Sequence, residues 1–138
     1  MDWSDAMTYE LRVTDTFDSA HFLPGHEKCG KMHGHTYRIE LFITGKRLLE
    51  DVGENKSCML IDFKRLKEVM ASLITKFDHQ VLNEVFDDVP TAENLARYCY
   101  YYLKKVIETK YHMKEIQVAR VRIWEGLNSY CDFYETNT

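Results

Sequence analysis

No stretch of the 138 residues is apolar for long enough to span a bilayer, and no Cys-x-x-Cys pair occurs. The first absence excludes a membrane-spanning helix, and the second removes the usual spacing of a redox or structural-metal thiol pair. Positive charge is also short: 18 Lys and Arg stand against 22 Asp and Glu, a formal net charge of −4. That balance argues against general binding to nucleic acid or anionic membranes, but leaves room for a local basic pocket for a phosphorylated ligand. The start, Met1-Asp2-Trp3-Ser4-Asp5, is acidic with no apolar segment behind it, so no signal peptide is expected and the expected compartment is the cytoplasm. Repeats at solenoid periods and low-complexity tracts are absent too. A chain that is 45% hydrophobic and 29% charged reads as one globular domain over 1–138, with enough length to bury a core.

Three histidines stand out. His33 and His35 lie in Cys29-Gly30-Lys31-Met32-His33-Gly34-His35, two residues apart. In an extended chain such a pair points to one side. His21 closes an earlier strand-like stretch in which Tyr9, Leu11, Val13 and Phe17 share its odd parity. After His35 the same phase continues through Tyr37, Ile39, Leu41 and Ile43, with Arg38, Glu40 and Thr44 polar between them. The histidines therefore fall where two apolar strand faces run out. Three neutral imidazoles converging there make a zinc site with one position open, the arrangement of a catalytic metal. A hydrogen-bonded core histidine is the plainer reading of any one of them. Cys29, four residues before His33, is a candidate ligand or nucleophile. Packing is the default for Cys58, Cys99 and Cys131.

Alternation predicts strands over 8–21 and 35–45, then a polar loop over 46–57 and a short strand Met59–Ile61. Asp62 is a candidate N-cap, and Phe63, Leu66, Val69, Met70, Leu73, Ile74 and Phe77 follow the spacing of one helix face. A loop from Asp78 to Pro90 leads to Thr91, a second N-cap. Leu95, Tyr98, Cys99, Tyr102, Leu103, Val106 and Ile107 then mark another helix. Ala119, Val121 and Ile123 share a strand face opposite Arg120 and Arg122. Gly126-Leu127-Asn128-Ser129 suggests a hairpin back through Tyr130 to Tyr134. The order β-β-α-α-β-β implies an α+β sandwich. Glu125 continues the apolar phase, so it joins a buried network, waits for a ligand, or escapes at the strand end.

Phe17-Asp18-Ser19-Ala20-His21, the Cys29 to His35 run, Leu60-Ile61-Asp62-Phe63, Asp78-His79, Pro90-Thr91-Ala92-Glu93-Asn94 and the strand-end Glu125 occur in the order found in the 6-pyruvoyl-tetrahydropterin synthase family. The resemblance runs from about residue 8 to 135. It implies the tunnelling fold: a four-stranded antiparallel sheet with two helices on one face, joined edge to edge into a trimeric barrel and usually stacked as a homohexamer. Active sites then lie at subunit interfaces, where Cys29 and the Asp78–His79 pair meet across chains. The short gap between Cys29 and His33, with His26 and Gly30 nearby, is similar to the 6-carboxy-tetrahydropterin synthase branch.

That branch implies a zinc-dependent lyase. It converts 7,8-dihydroneopterin triphosphate to 6-carboxy-5,6,7,8-tetrahydropterin, releasing acetaldehyde and triphosphate, on the route to queuosine or archaeosine. The resemblance makes His21, His33 and His35 the Zn²⁺ ligands, Cys29 the base, Asp78 and His79 a proton relay, and Glu125 the grip on the pterin edge. Thr91 and Glu93 complete that edge, although Ala92 stands where relatives often carry a second hydroxyl. The alternatives are 6-pyruvoyl-tetrahydropterin formation by triphosphate elimination, simple aldol-type side-chain cleavage, and a non-catalytic zinc module with Cys29 as fourth ligand.

Overall fold

The computed structural model describes residues 8–48, 58–111 and 116–136. Two long strands, β1 (Tyr9–His21) and β2 (His33–Gly45), pair antiparallel along their full length. β4 (Ile116–Glu125) continues the sheet beside β2, and β5 (Ser129–Phe133) turns back on β4 through a hairpin with Gly126 at φ 70°. Helices α1 (Phe63–Ile74) and α3 (Ala92–Tyr111) pack on one face of the sheet. The α+β class, the hairpins and the two long helices follow the sequence expectation.

Alternation is the cause of the layering. Val13, Phe17, Ser19 and His21 on β1 and Tyr37, Ile39, Leu41 and Ile43 on β2 are all buried. They meet Leu66, Val69, Met70 and Leu73 of α1 and Leu95, Cys99, Leu103 and Ile107 of α3. Each fully buried Leu or Ile stabilises by about 1.5–3 kcal/mol relative to exposure. Asp62 caps α1 through Lys64 N–H at 2.9 Å, and Thr91 caps α3 through Asn94 N–H at 3.1 Å.

Several local expectations are corrected. The span Asp78–Pro90 is not a plain loop: it holds β3 (Gln80–Val81) and a single helical turn, α2 (Leu82–Val85). β3 adds a fifth, parallel strand to the edge of the sheet, in the order β3-β1-β2-β4-β5. Ala119 does not share the core phase with Val121. It is the extra residue of a bulge, because Arg120 pairs with Phe42 while Val118 pairs with Ile43. Phe63 is 47% exposed, since its place right after the cap turns it outward, and Tyr98 is also exposed where Tyr100 is buried. Cys58 is exposed at φ 51° rather than packed. Met59–Ile61 contributes no strand to the sheet, although Leu60 and Ile61 are buried. Most of the loop expected over 46–57 lies outside the described residues.

The sheet's other face carries charge. Glu40 is buried there, accepting from Arg12 at 2.9 Å and from the indole N–H of Trp124. Arg122 forms a two-pronged pair with Asp132, at 2.7 and 3.0 Å. These partners are what make a buried carboxylate tolerable.

Candidate metal centre and active site

The register of β1 and β2 builds the histidine cluster. His21 pairs directly with His33, and Ser19 with His35, so the three odd-phase rings fall on the helix side of the sheet. Ring centroids are 4.6 Å apart for His21–His33, 5.1 Å for His21–His35 and 4.8 Å for His33–His35. His21 is fully buried.

Main-chain carbonyls decide which ring nitrogens carry protons. His21 Nδ1 lies 2.8 Å from the Pro90 carbonyl and His33 Nδ1 lies 2.7 Å from that of Lys31. A carbonyl only accepts, so both Nδ1 atoms donate, and in the neutral rings both Nε2 atoms are bare lone pairs. Those two Nε2 atoms face each other at 3.0 Å. Two lone pairs at that distance repel unless an electrophile sits between them. His35 Nε2 is buried and has no hydrogen-bond partner, although Glu125 Oε1 lies 3.1 Å away. Burial, and then the like charge His21 and His33 would carry, lower the pKa of His35 against the opposing pull of Glu125, so the neutral, ligating form is favoured. The ligand atoms of His21, His33, His35 and Glu125 all lie within 4.8 Å of one another. Imidazole donors oriented by carbonyls are the donor set and the supporting shell of a zinc site, and the residues fit that ion.

Cys29 is half-buried and outside that group. Its loop is a tight ring: Leu23 N–H donates to Cys29 O at 2.7 Å, Cys29 N–H to His26 Nδ1 at 3.0 Å, and Gly30 N–H to His26 O at 2.7 Å. A Cβ at Gly30 would stand 2.3 Å from that last oxygen, so only glycine fits. Lys31, which holds His33, follows directly.

Asp78 and His79 form a separate cluster with Asp18. Asp78 Oδ2 is 3.0 Å from His79 Nδ1, Asp78 Oδ1 accepts from Asp18 N–H at 3.0 Å, and His79 N–H donates to Asp18 O at 2.7 Å. The Asp18 N–H first, then the His79 side chain, hold the Asp78 carboxyl below its usual range. Thr36 donates to Asp18 at 2.6 Å. Asp18 and Thr36 are even-phase residues, on the face away from the histidines. A shallow depression of about 580 Å³ is lined by Asp18, Ala20, Gly34, Thr36 and His79, and also by His35 of the histidine cluster. His79 is 78% exposed at φ 57°.

The family model for 6-pyruvoyl tetrahydropterin synthase matches residues 10–136. The chain belongs to that family. A 6-carboxy-5,6,7,8-tetrahydropterin synthase of Haemophilus influenzae is 33% identical, covering 92% of this chain and 99% of the relative. A protein of Archaeoglobus fulgidus provisionally given the same name is 37% identical, over 88% and 92%. A dihydroneopterin monophosphate aldolase of Pyrococcus furiosus is 30% identical, over 80% and 84%. The solved 6-pyruvoyl tetrahydropterin synthase of Caenorhabditis elegans shares the tunnelling fold, with a TM-score of 0.76 at 23% identity over 94% of this chain and 97% of that one. Family membership places the chain among pterin synthases.

Within this family frame, Glu125 ends β4 opposite Tyr37, half-buried beside the histidines. Thr91 is engaged as the α3 cap, and Glu93 is exposed in the first turn of that helix, near Cys131. Burial pushes the Cys131 thiol up, Glu93 and Asp132 adding to it. Sequence reasoning missed three contributors. Pro90 and Lys31 act through their carbonyls, which no side-chain pattern signals. Tyr37 places its hydroxyl 3.1 Å from His21 Nδ1 and its ring against both His21 and His35. Its odd phase, next after His35, was the available sign.

Proposed function

We propose that this pterin-synthase-family chain is a zinc-dependent lyase that converts 7,8-dihydroneopterin triphosphate to 6-carboxy-5,6,7,8-tetrahydropterin, with loss of acetaldehyde and triphosphate, in 7-deazaguanine biosynthesis. The observation that carries the reading is the facing pair of bare Nε2 atoms on His21 and His33 beside the unpartnered Nε2 of His35. The name of the Haemophilus relative and the short Cys29–His33 spacing favour the carboxy product.

His21, His33 and His35 would hold the ion, which when bound supplies Lewis-acid polarisation of side-chain hydroxyls. Cys29, as thiolate, takes the proton from the side-chain carbon next to the ring. Return of a proton to the ring completes an internal redox step with no external hydride. His79, oriented by Asp78, handles the second proton, and it does so for a neighbouring copy in the barrel. Glu125 accepts from the pterin amino and ring N–H donors, with Thr91 and Glu93 along that edge.

Incubating zinc-loaded protein with dihydroneopterin triphosphate and weighing the pterin product tests this directly. Carboxytetrahydropterin with one equivalent of acetaldehyde is expected; a pyruvoyl product overturns the branch. The Pyrococcus relative favours a second reading, aldol cleavage of the side chain, which would instead leave a hydroxymethyl pterin.

A further inference from the structure

We infer that His26 is a positioning residue for Cys29: its imidazole caps the turn that carries the thiol and fixes that turn between the ends of β1 and β2. The inference rests on the reading of Cys29 as the base and deepens it, by naming the side chain that sets where the thiol stands.

The loop is built in two steps. Leu23-Pro24-Gly25-His26 is a tight turn, closed by His26 N–H donating to Leu23 O at 3.2 Å. Proline suits the first corner, and Gly25, at φ 82°, takes the left-handed second one. A single helical turn follows, closed by Gly30 N–H on His26 O at 2.7 Å. In that turn His26 occupies the place of an N-cap, and its Nδ1 accepts from Cys29 N–H, three residues on, at 3.0 Å. A main-chain N–H only donates, so Nδ1 is the bare nitrogen and Nε2 carries the proton of the neutral imidazole.

Cys29 is thereby held at both ends of its own backbone. His26 takes its N–H, and Leu23 N–H donates to its carbonyl at 2.7 Å. Of these loop bonds, the one from Cys29 N–H to His26 is the one that uses a side chain. Both ends of the loop are tied to the histidine cluster: Asn83 clamps Phe22, next to His21, and the Lys31 carbonyl orients His33. A thiol fixed within the loop is therefore fixed relative to both histidines. His26 is exposed, and among the described residues its side chain makes no ion pair and no other hydrogen bond. An exposed cap contributes little to the core, so its loss should move the thiol and leave the fold.

The test compares His26→Leu, which has no acceptor, with His26→Asn, whose amide oxygen can cap in the same place. One readout is the rate at which iodoacetamide alkylates Cys29, mapped by peptide mass spectrometry to separate it from Cys58 and Cys131. The other is turnover of dihydroneopterin triphosphate by the zinc-loaded full chain. His26→Leu should be alkylated at Cys29 several-fold faster than wild type, because the half-buried thiol is released. Its kcat should fall about 10–100-fold, with KM and zinc content unchanged. His26→Asn should restore both the alkylation rate and kcat. Wild-type alkylation and kcat in His26→Leu overturn the inference. So does His26→Asn as impaired as His26→Leu, which would tie the effect to the imidazole and not to the cap. Loss of zinc or of the circular dichroism spectrum in His26→Leu also overturns it, since the residue would then serve the metal or the fold. If wild type leaves the substrate untouched, the function proposed above fails, and the alkylation rates still decide the role of His26.

Discussion

At the scale of single residues, the chemistry is divided between groups that hold and groups that react. His33 has no substitute: its Nδ1 is committed to Lys31 O, which leaves Nε2 as the only nitrogen it can offer. His33→Ala should abolish stoichiometric zinc binding, read by metal analysis after dialysis. Cys29→Ala should keep the zinc and lose at least ~100-fold in turnover if the thiolate is the base. Metal loss in that variant would instead make Cys29 a ligand. Asp78 gives a pH prediction. Its carboxyl is held low in the folded chain by Asp18 N–H and then by His79. A depressed carboxyl stabilises the fold above its unfolded pKa, and this contribution vanishes as pH falls through the lowered folded value. The gap in urea midpoint between wild type and Asp78→Asn should therefore be full at neutral pH and close on strong acidification. A gap that stays constant would place the interaction elsewhere.

At the scale of elements, caps and turns position the site. Thr91 illustrates two roles that can be separated. As the α3 cap, Thr91→Ala should cost about 1 kcal/mol in unfolding free energy by urea denaturation. If the hydroxyl also touches the pterin, KM rises while zinc affinity holds; unchanged KM leaves it a cap only. The histidine cluster was legible because β1 and β2 pair without a bulge through thirteen residues each, so parity alone put His21, His33 and His35 on one side. The same rule failed at Ala119, because a bulge shifts parity by one and no residue type there announces it. β3 and α2 were illegible for another reason: two residues and one turn are too short to show a period. Yet they matter, since the Asn83 amide clamps Phe22 N–H and C=O, each at 2.9 Å, directly after His21. Glu40 read as solvent-facing by alternation, and is buried because Arg12 and Trp124 close over it.

At the scale of the whole molecule, the two clusters are separate groups that border one depression, lined by His35 as well as by Asp18 and His79. The histidines and Glu125 sit in the odd phase toward the helices, whereas Asp18 and Thr36 lead the Asp78–His79 pair onto the other side. The metal cluster and the dyad share no residue. β3 covers β1 only at Ser19 and Ala20, so the rest of that long edge, like the outer edge of β5, has no strand partner among the described residues. Open edges of this length call for pairing with another copy, and edge-to-edge closure would bring one chain's dyad toward another's metal. A division of labour between chains has a consequence that a single-chain site lacks. Cys29→Ala and Asp78→Asn should each be inactive alone. Unfolded together and refolded in equal amounts, they should regain about a quarter of wild-type activity, because random assembly gives that share of sites an intact Cys29 from one chain and an intact Asp78 from its neighbour. Oligomer size, checked by light scattering, should match that of wild type. If the mixture recovers nothing while assembling normally, each chain must complete its own site, and the dyad would have to turn through the sheet edge to reach it.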